Sequence, residues 1–486
     1  MLFNSWGYLV FLALAVPVFW NLPLRFRPWV LSAFSLFFYA MWRWDFCLLL
    51  IFSAAVDYYC AGRIFASGED RARRGWLLLS LSINLGLLFF FKYTYFVSDN
   101  VSSFASVFGY ATNGVRDWGL RIILPLGISF YTFQTISYTI DVYRRVITPT
   151  RSFPVFFTYV TFWPQLIAGP ILRASEVIPQ LVSPSRFRRE YLVSGLLIIL
   201  AGLFKKVVLA DSIAVSVDFA FGHNPSEMGA LDVWVATILF GFQIYFDFSG
   251  YSDIAIGSAK LLGIDFPKNF DWPYLATSPR DFWRRWHISL SSWIRDYLYL
   301  PLTGQPFQSK SQGGIAVATA GGASNRTIAL FGTWFVMGLW HGAAWTFALW
   351  GLYHAGLVYA YRSIGAWQRF AESSPWFARL PMFMLAMAGW IPFRAQSLDE
   401  SLTMFGKLLN PFEYGLSLRV VAGRAYLMVL LLTVALFGLF WIREKIDWDA
   451  IPLSARLPIL AGAVMVMTAA IITLQRPVSQ FIYFQF

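Results

Sequence analysis

Charge is scarce in this chain. Asp, Glu, Lys and Arg make up 13% of its 486 residues, about half the share of an ordinary soluble protein, which excludes a string of water-facing domains of that length. Cysteine is nearly absent: Cys47 and Cys60 fall in one apolar run and offer neither a disulfide framework nor metal-ligand spacing. Histidine is rare too, at four residues, and there is no H-E-x-x-H, no G-x-S-x-G nucleophile elbow and no Rossmann glycine pattern, so neither zinc nor a bound organic cofactor is expected. Acidic residues are outnumbered, 26 against 38 basic, for a net charge of +12. The basic residues lie in short loops between apolar runs, the distribution that orients a membrane protein. No basic patch with stacking aromatics stands apart from those runs, and nucleic acid is not an expected partner.

Hydrophobic residues fill the space that charge leaves, 58% of the chain, with 19% aromatic. Runs long enough for a hydrocarbon layer of about 30 Å recur throughout. They predict an all-α polytopic membrane protein in contact with lipid, with crossings or deep hairpins near 6–22, 28–43, 45–62, 76–97, 121–140, 153–171, 191–210, 231–250, 326–341, 344–361, 378–395, 424–442 and 456–475. Met1 to about Trp20 lacks a basic leader and a small-residue cleavage site, and reads as the first membrane helix. The basic clusters Arg25 and Arg27, Arg63 to Arg74, Arg144 to Arg151 and Arg173 to Arg189 share one side if the amino terminus is outside and 153–171 is a re-entrant hairpin. That side is then cytoplasmic. No repeat and no separable soluble domain is visible, so 1–486 reads as one domain: N-terminal helices over 1–120, a motif-bearing core over 121–361, and C-terminal helices over 362–486.

Four stretches carry polar groups where hydrocarbon is expected. In Phe335-Val-Met-Gly-Leu-Trp-His-Gly-Ala-Ala-Trp-Thr-Phe-Ala-Leu-Trp350 a single histidine, His341, interrupts an apolar run. An ionisable group at that depth is a functional candidate by default, the bland alternative being a ring that bonds a carbonyl across a helix pair. Gly338 and Gly342 leave bare backbone where a substrate or a second helix could approach. Residues 125–143 place several hydroxyls and Gln134 in an apolar helix, as glue between helices or as a polar path. Phe162-Trp-Pro-Gln-Leu-Ile-Ala-Gly-Pro170 cannot be continuous helix. Gln243, Asp247, Ser249 and Asp253 fall at the end of a crossing, where Asp247 and Asp253 could bind a cation, position a partner histidine or, for Asp253, cap the next helix.

Ser278-Pro-Arg-Asp281 opens a helix in the manner of a capping box. Beyond it, Trp286, Leu290, Trp293, Ile294, Tyr297 and Leu298 recur on one face, with Arg284, Arg285, Ser292, Arg295 and Asp296 on the other, as in a helix lying at the cytoplasmic interface. His287 sits on its flank, one turn from Trp283. A surface helix accounts for this pattern without chemistry. Residues 303–325 are rich in Gly, Ser and Ala and read as a mobile cytoplasmic loop.

Taken together, Gln243-Ile-Tyr-Phe-Asp-Phe-Ser-Gly-Tyr-Ser-Asp253, Asp281-Phe-Trp-Arg-Arg-Trp-His-Ile-Ser-Leu-Ser291 with Arg295-Asp-Tyr-Leu-Tyr-Leu-Pro301, and Gly338-Leu-Trp-His-Gly-Ala-Ala-Trp345 with Gly351-Leu-Tyr-His354 resemble the membrane-bound O-acyltransferase superfamily, in its bacterial alginate O-acetyltransferase-like branch. Weaker echoes are Pro125 to Gln134, Gly169-Pro170 and Trp390-Ile-Pro-Phe-Arg394, so the resemblance covers most of the chain. Residues 303–325 depart from it, being longer than that branch usually carries. The resemblance implies a helical body around a central channel, with a cytoplasmic donor side and an external acceptor side. It implies that His341 is the catalytic histidine and His287 a second one near the cytoplasmic mouth. Gln243, Asp247, Trp283, Arg284, Trp340 and Trp345 are candidates for lining the channel or the substrate. It also implies a multi-pass protein of the bacterial inner membrane, acetyl-CoA as acyl donor, a periplasmic acetyltransferase or other polysaccharide-modifying partner, and O-acetylation of an exported polysaccharide such as alginate. Relatives of that superfamily modify peptidoglycan or D-alanylate teichoic acid.

Acyl transfer from a thioester needs an activated hydroxyl, a base and a group that steadies the oxyanion. Histidine, with an unperturbed pKa of about 6.5, suits the base. His341 would take the hydroxyl proton, and amides near Gly342 or the indoles of Trp340 or Trp345 could serve the oxyanion. Three rival classes make different demands. A sugar-nucleotide transferase would use Asp447 and Asp449 on a metal, a motif too short to specify one. A transporter or flippase would move a donor without chemistry, and a scaffold would tolerate loss of His341.

Overall fold

The computed structural model describes residues 1–110, 114–119, 121–167, 169–304, 323–415, 420–474 and 481–482, and all regular structure in them is helical. Seven helices among these are long and apolar enough to cross a membrane: Phe46–Ala66, Asp70–Val107, Arg189–Phe221, Ala230–Leu261, Pro375–Arg394, Gly423–Lys445 and Leu453–Thr473. Other expected crossings are helical but short, with 16 residues in Trp6–Asn21, 14 in Arg27–Ala40 and 16 in Ile128–Tyr143. At 1.5 Å per residue these reach only about 21–24 Å. They differ in cover: nearly all of Ile128–Tyr143 is buried, its Ser, Thr, Gln and Asp side chains included, whereas Trp6–Asn21 and Arg27–Ala40 each leave one face exposed, with Trp6, Val10 and Leu14 on the first and Trp29 and Phe37 on the second. The Phe162–Pro170 stretch breaks as its prolines require, between the helices Phe153–Thr161 and Trp163–Leu166. Most of the 303–325 segment lies outside the described residues.

The chain folds into two compact units, each assembled from separate stretches: Met1–Leu196, Ala255–Lys268 and Ser292–Ala320 form one, and Leu197–Ile254, Asn269–Ser291 and Gly321–Phe486 the other. In the first, a polar cluster joins three helices. Ser80 donates to Asp57 at 2.6 Å, Asn84 Nδ2 to both Asp57 oxygens at 2.8 and 3.0 Å, and Ser53 and Thr135 to Asn84 Oδ1 at 3.1 and 3.2 Å. Thr135, one of the hydroxyls singled out in 125–143, is thus helix glue. Gln134 Nε2 and the Tyr131 hydroxyl, from the same helix, are buried with no hydrogen-bond partner among the described residues. Gly127 precedes this helix at φ +74°, and a Cβ there would fall on the Leu166 carbonyl, so only glycine serves.

In the second unit, two long helices cross through glycine. A Cβ on Gly202 would lie 2.7 Å from the Gly250 carbonyl oxygen, and one on Gly250 2.8 Å from that of Gly202, the close approach that small residues permit between membrane helices. Beside the crossing, the first helix widens into a π segment, Phe204–Ala210. Lys206 in that segment reaches Asp247 at 2.5 Å and Asp211 at 2.8 Å, while Asp247 also accepts from the Ile482 amide at 2.8 Å. Asp253 is not a cap. It lies inside Ala230–Leu261 and pairs with Lys205 at 2.6 Å, because the helix continues past the point where its polar residues suggested an end.

Candidate active site

His341 occupies the last turn of Ala323–His341, one residue before a tight reversal into Trp345–Ser363. The two helices approach through Gly338 and Gly351, whose added Cβ atoms would strike the carbonyl oxygens of Phe347 and Trp334, and a Cβ on Gly342 would strike the Phe347 ring. The bare backbone flanking His341 is therefore taken up by a second helix and a phenyl ring. The reversal leaves the imidazole 4% exposed, edge-on to Trp350 at 4.8 Å, Trp340 at 4.9 Å and Phe393 at 5.4 Å. Its helix ends with the negative pole of its dipole at this turn, a polarity that favours positive charge. An imidazole walled by rings and largely kept from bulk water is in a setting where its neutral form can exchange a proton with a bound group.

His287 belongs to a different construction. The expected continuous helix over 278–302 begins as read, Ser278 accepting from the Asp281 amide at 3.2 Å with Pro279 in the first turn. It stops at Trp286, and His287 adopts φ +42° before a second helix, Ile288–Ile294, resumes. The cause is Asn269, whose carbonyl accepts from the Ile288 amide at 2.9 Å and whose Oδ1 accepts from His287 Nδ1 at 3.1 Å and from the Ser289 amide and hydroxyl at 3.2 and 2.8 Å. A left-handed histidine costs about 1–3 kcal/mol, and this clamp holds it there. The face taken as membrane-facing is interior instead, with Trp286, Leu290, Trp293, Ile294 and Tyr297 buried in protein.

Because Asn269 Oδ1 can only accept, the His287 proton sits on Nδ1 and the lone pair on Nε2. Nε2 has no partner among the described residues. The ring is 0% exposed, edge-on to Phe248 at 4.6 Å, and burial pushes its pKa down to about 3. Such a ring is a fixed hydrogen-bond acceptor. It does not meet His341: Phe270, Trp286, Trp390 and Phe393 intervene, at successive ring spacings of 5.1, 4.8 and 5.4 Å.

The other candidates scatter. Trp340 lies against His341. Trp345, at 48% exposure, opens the following helix. Arg284 is exposed, Asp247 is held by Lys206, and Gln243 is half-buried with Oε1 buried and unpartnered among the described residues. Trp283 is buried against His354 at 5.0 Å and Trp350 at 5.7 Å. Sequence reasoning did not assign roles to Trp350, His354 or Asn269. The first two lie at helical spacing in a run that reads as core, although His354 closes the Gly351-Leu-Tyr-His motif. His223, the remaining histidine, is half-buried just past the helix Asp211–Phe221 and bonded to that helix's Phe219 carbonyl at 2.8 Å.

A buried histidine at a glycine-packed helix reversal, in an all-helical body with seven apolar helices of membrane-crossing length, defines the class: the chain belongs to the membrane-bound O-acyltransferase family, whose profile matches residues 143–395. It is a multi-pass membrane O-acyltransferase. The probable alginate O-acetylase AlgI of Pseudomonas putida is 34% identical to it over 98% of this chain and 99% of the relative. The protein of that name from Azotobacter vinelandii is 38% identical over 84% and 78%, and the peptidoglycan O-acetyltransferase of Helicobacter pylori 36% identical over 78% and 73%. Family membership sets aside the sugar-nucleotide, transport and scaffold readings.

Proposed function

We propose that this protein works in the bacterial inner membrane, taking an acetyl group from acetyl-CoA on the cytoplasmic side and passing it through a central channel for O-acetylation of exported alginate. A periplasmic partner completes the transfer to polymer. The end-to-end similarity to AlgI, 98% of one chain against 99% of the other, carries this reading. In the chemical step a hydroxyl oxygen forms its bond to the thioester carbon as the carbon–sulfur bond breaks. His341 removes the hydroxyl proton and returns it to the departing thiolate. His287, neutral and fixed through Asn269, accepts a hydrogen bond from substrate at Nε2 on the donor side. The Helicobacter relative favours peptidoglycan as the second candidate acceptor.

The test uses an alginate-secreting bacterium whose own acyltransferase of this family has been deleted. Expression of this chain restores acetyl-ester signals in NMR spectra of the purified polymer, and His341→Ala, inserted to the same level, does not. Esters appearing on peptidoglycan but not on alginate would transfer the acceptor assignment; esters restored by His341→Ala would remove the mechanism.

A further inference from the structure

We infer that Trp283, Trp350 and His354 form a polar subsite beside His341 that receives the carbonyl oxygen of the acyl group, an inference that rests on the acyl-transfer reading above. The three rings touch one another. Trp283 and Trp350 lie 5.7 Å apart at 80°, and each lies 5.0 Å from His354, at 88° and 68°. They come from separate elements, Trp283 from the helix Pro279–Arg285 and the other two from successive turns of Trp345–Ser363. Their exposures are 8%, 1% and 1%. Trp283 Nε1, Trp350 Nε1 and His354 Nε2 are all without a hydrogen-bond partner among the described residues.

One buried orphan is common enough, but three in mutual contact are a costly arrangement, since each lost partner is worth about 1–3 kcal/mol. An indole nitrogen only donates, so the group that satisfies two of them is an acceptor. Trp350 also shares an edge with His341 at 4.8 Å, which sets the orphaned donors one ring away from the proposed base. A carbonyl oxygen there gains most when it matters for rate. As the hydroxyl adds and the new carbon–oxygen bond forms, the π pair of the carbonyl moves onto that oxygen while the hydroxyl proton goes to His341. When the pair returns, the carbon–sulfur bond breaks and the thiolate leaves with the proton. Buried indole N–H groups with no other acceptor hold the charged oxygen better than the neutral one. His354 is a positioning residue whose ring, packed against both indoles and parallel to Phe282 at 2° and 6.0 Å, sets their planes.

The experiment replaces Trp350, and separately Trp283, with 3-benzothienylalanine, which keeps the shape of indole and substitutes sulfur for the N–H. Both full-length variants are reconstituted in lipid discs and given acetyl-CoA with alginate oligosaccharide as the acceptor hydroxyl, with Trp→Phe variants and His341→Ala in parallel. The expected result is a fall in kcat of about 10²–10³ per lost N–H, the cost of one oxyanion donor, with KM unchanged, a melting temperature that does not fall and rises where the unsatisfied donor is removed, and His354→Gln retaining more activity than His354→Phe. Wild-type kcat in both sulfur analogues, or a rise in KM alone, overturns the subsite. If His341→Ala is inactive in that experiment, only the subsite falls; if His341→Ala turns over normally, the acyl-transfer reading falls with it.

Discussion

Asp57, in the first unit, and the rings beside His341, in the second, are equally buried, and their polar atoms fare differently. Both oxygens of Asp57 are bonded, by Ser80 and Asn84, and Asn84 is in turn bonded by Ser53 and Thr135. Trp283, Trp350 and His354 sit as deep, yet each has a ring nitrogen that no described residue satisfies. A closed network of the first kind has nothing left to offer a substrate, and its worth is in fixing three helices together. A cluster of the second kind is stable only as part of something larger. Burial of polar atoms thus separates scaffold from site once partners are counted.

The contrast can be broken from either side. The largest expected effect is on chemistry: His341→Ala lowers the rate of acetyl transfer by about 10²–10⁴, the usual worth of a general base, with no change in the amount of folded protein recovered from membranes. Lys206→Met acts on folding instead. It strands Asp247 and Asp211, and the loss of one partner from a buried ion pair costs about 3–5 kcal/mol; yield from membranes falls, and adding Asp247→Leu recovers part of it. Asp57→Ala takes from Ser80 and Asn84 the acceptor they share, leaving only Thr139 and the Ser80 carbonyl to them, at about 1–3 kcal/mol, lowering the melting temperature while kcat per folded molecule holds. A drop in kcat with unchanged stability would place Asp57 in the reaction and erase the distinction.

The smallest effect is the pH response of His287. Its folded pKa, about 3, lies below that of the unfolded chain, so between about 6.5 and 3 the unfolded state binds the extra proton and stability falls as pH falls. Thermal unfolding followed from pH 7 to pH 5 should show this decline in wild type and a shallower one in His287→Asn. In the same series, His287→Ala lowers acetylation more than Ser292→Ala does, because His287 is clamped in place and Ser292 lies beyond the clamp.

Much of this was legible in the residues, for reasons that also explain the gaps. His341 stood out because an ionisable group in an apolar run has few bland explanations, and the glycines around it because close approach needs bare backbone. Which surface fills that backbone depends on Phe347 and Gly351 arriving from the next helix, which no local pattern encodes. The break at His287 was invisible because Phe282, Trp286, Leu290 and Trp293 keep helical spacing straight across it, and the residue that forces it is 18 positions away. Asp247 and Asp253 read as an end or a lining because their partners, Lys206 and Lys205, lie on another helix. Trp350 and His354 read as core, which by burial they are; only a census of their hydrogen bonds distinguishes them from packing.

The most direct test is acetyl transfer from acetyl-CoA to an alginate oligosaccharide acceptor by the purified protein in lipid discs, comparing wild type with His341→Ala and Asp57→Ala at equal folded concentration. Turnover that collapses in the first variant and survives in the second is the predicted result. Turnover by His341→Ala at the wild-type rate would contradict the assignment of the chemistry to that imidazole.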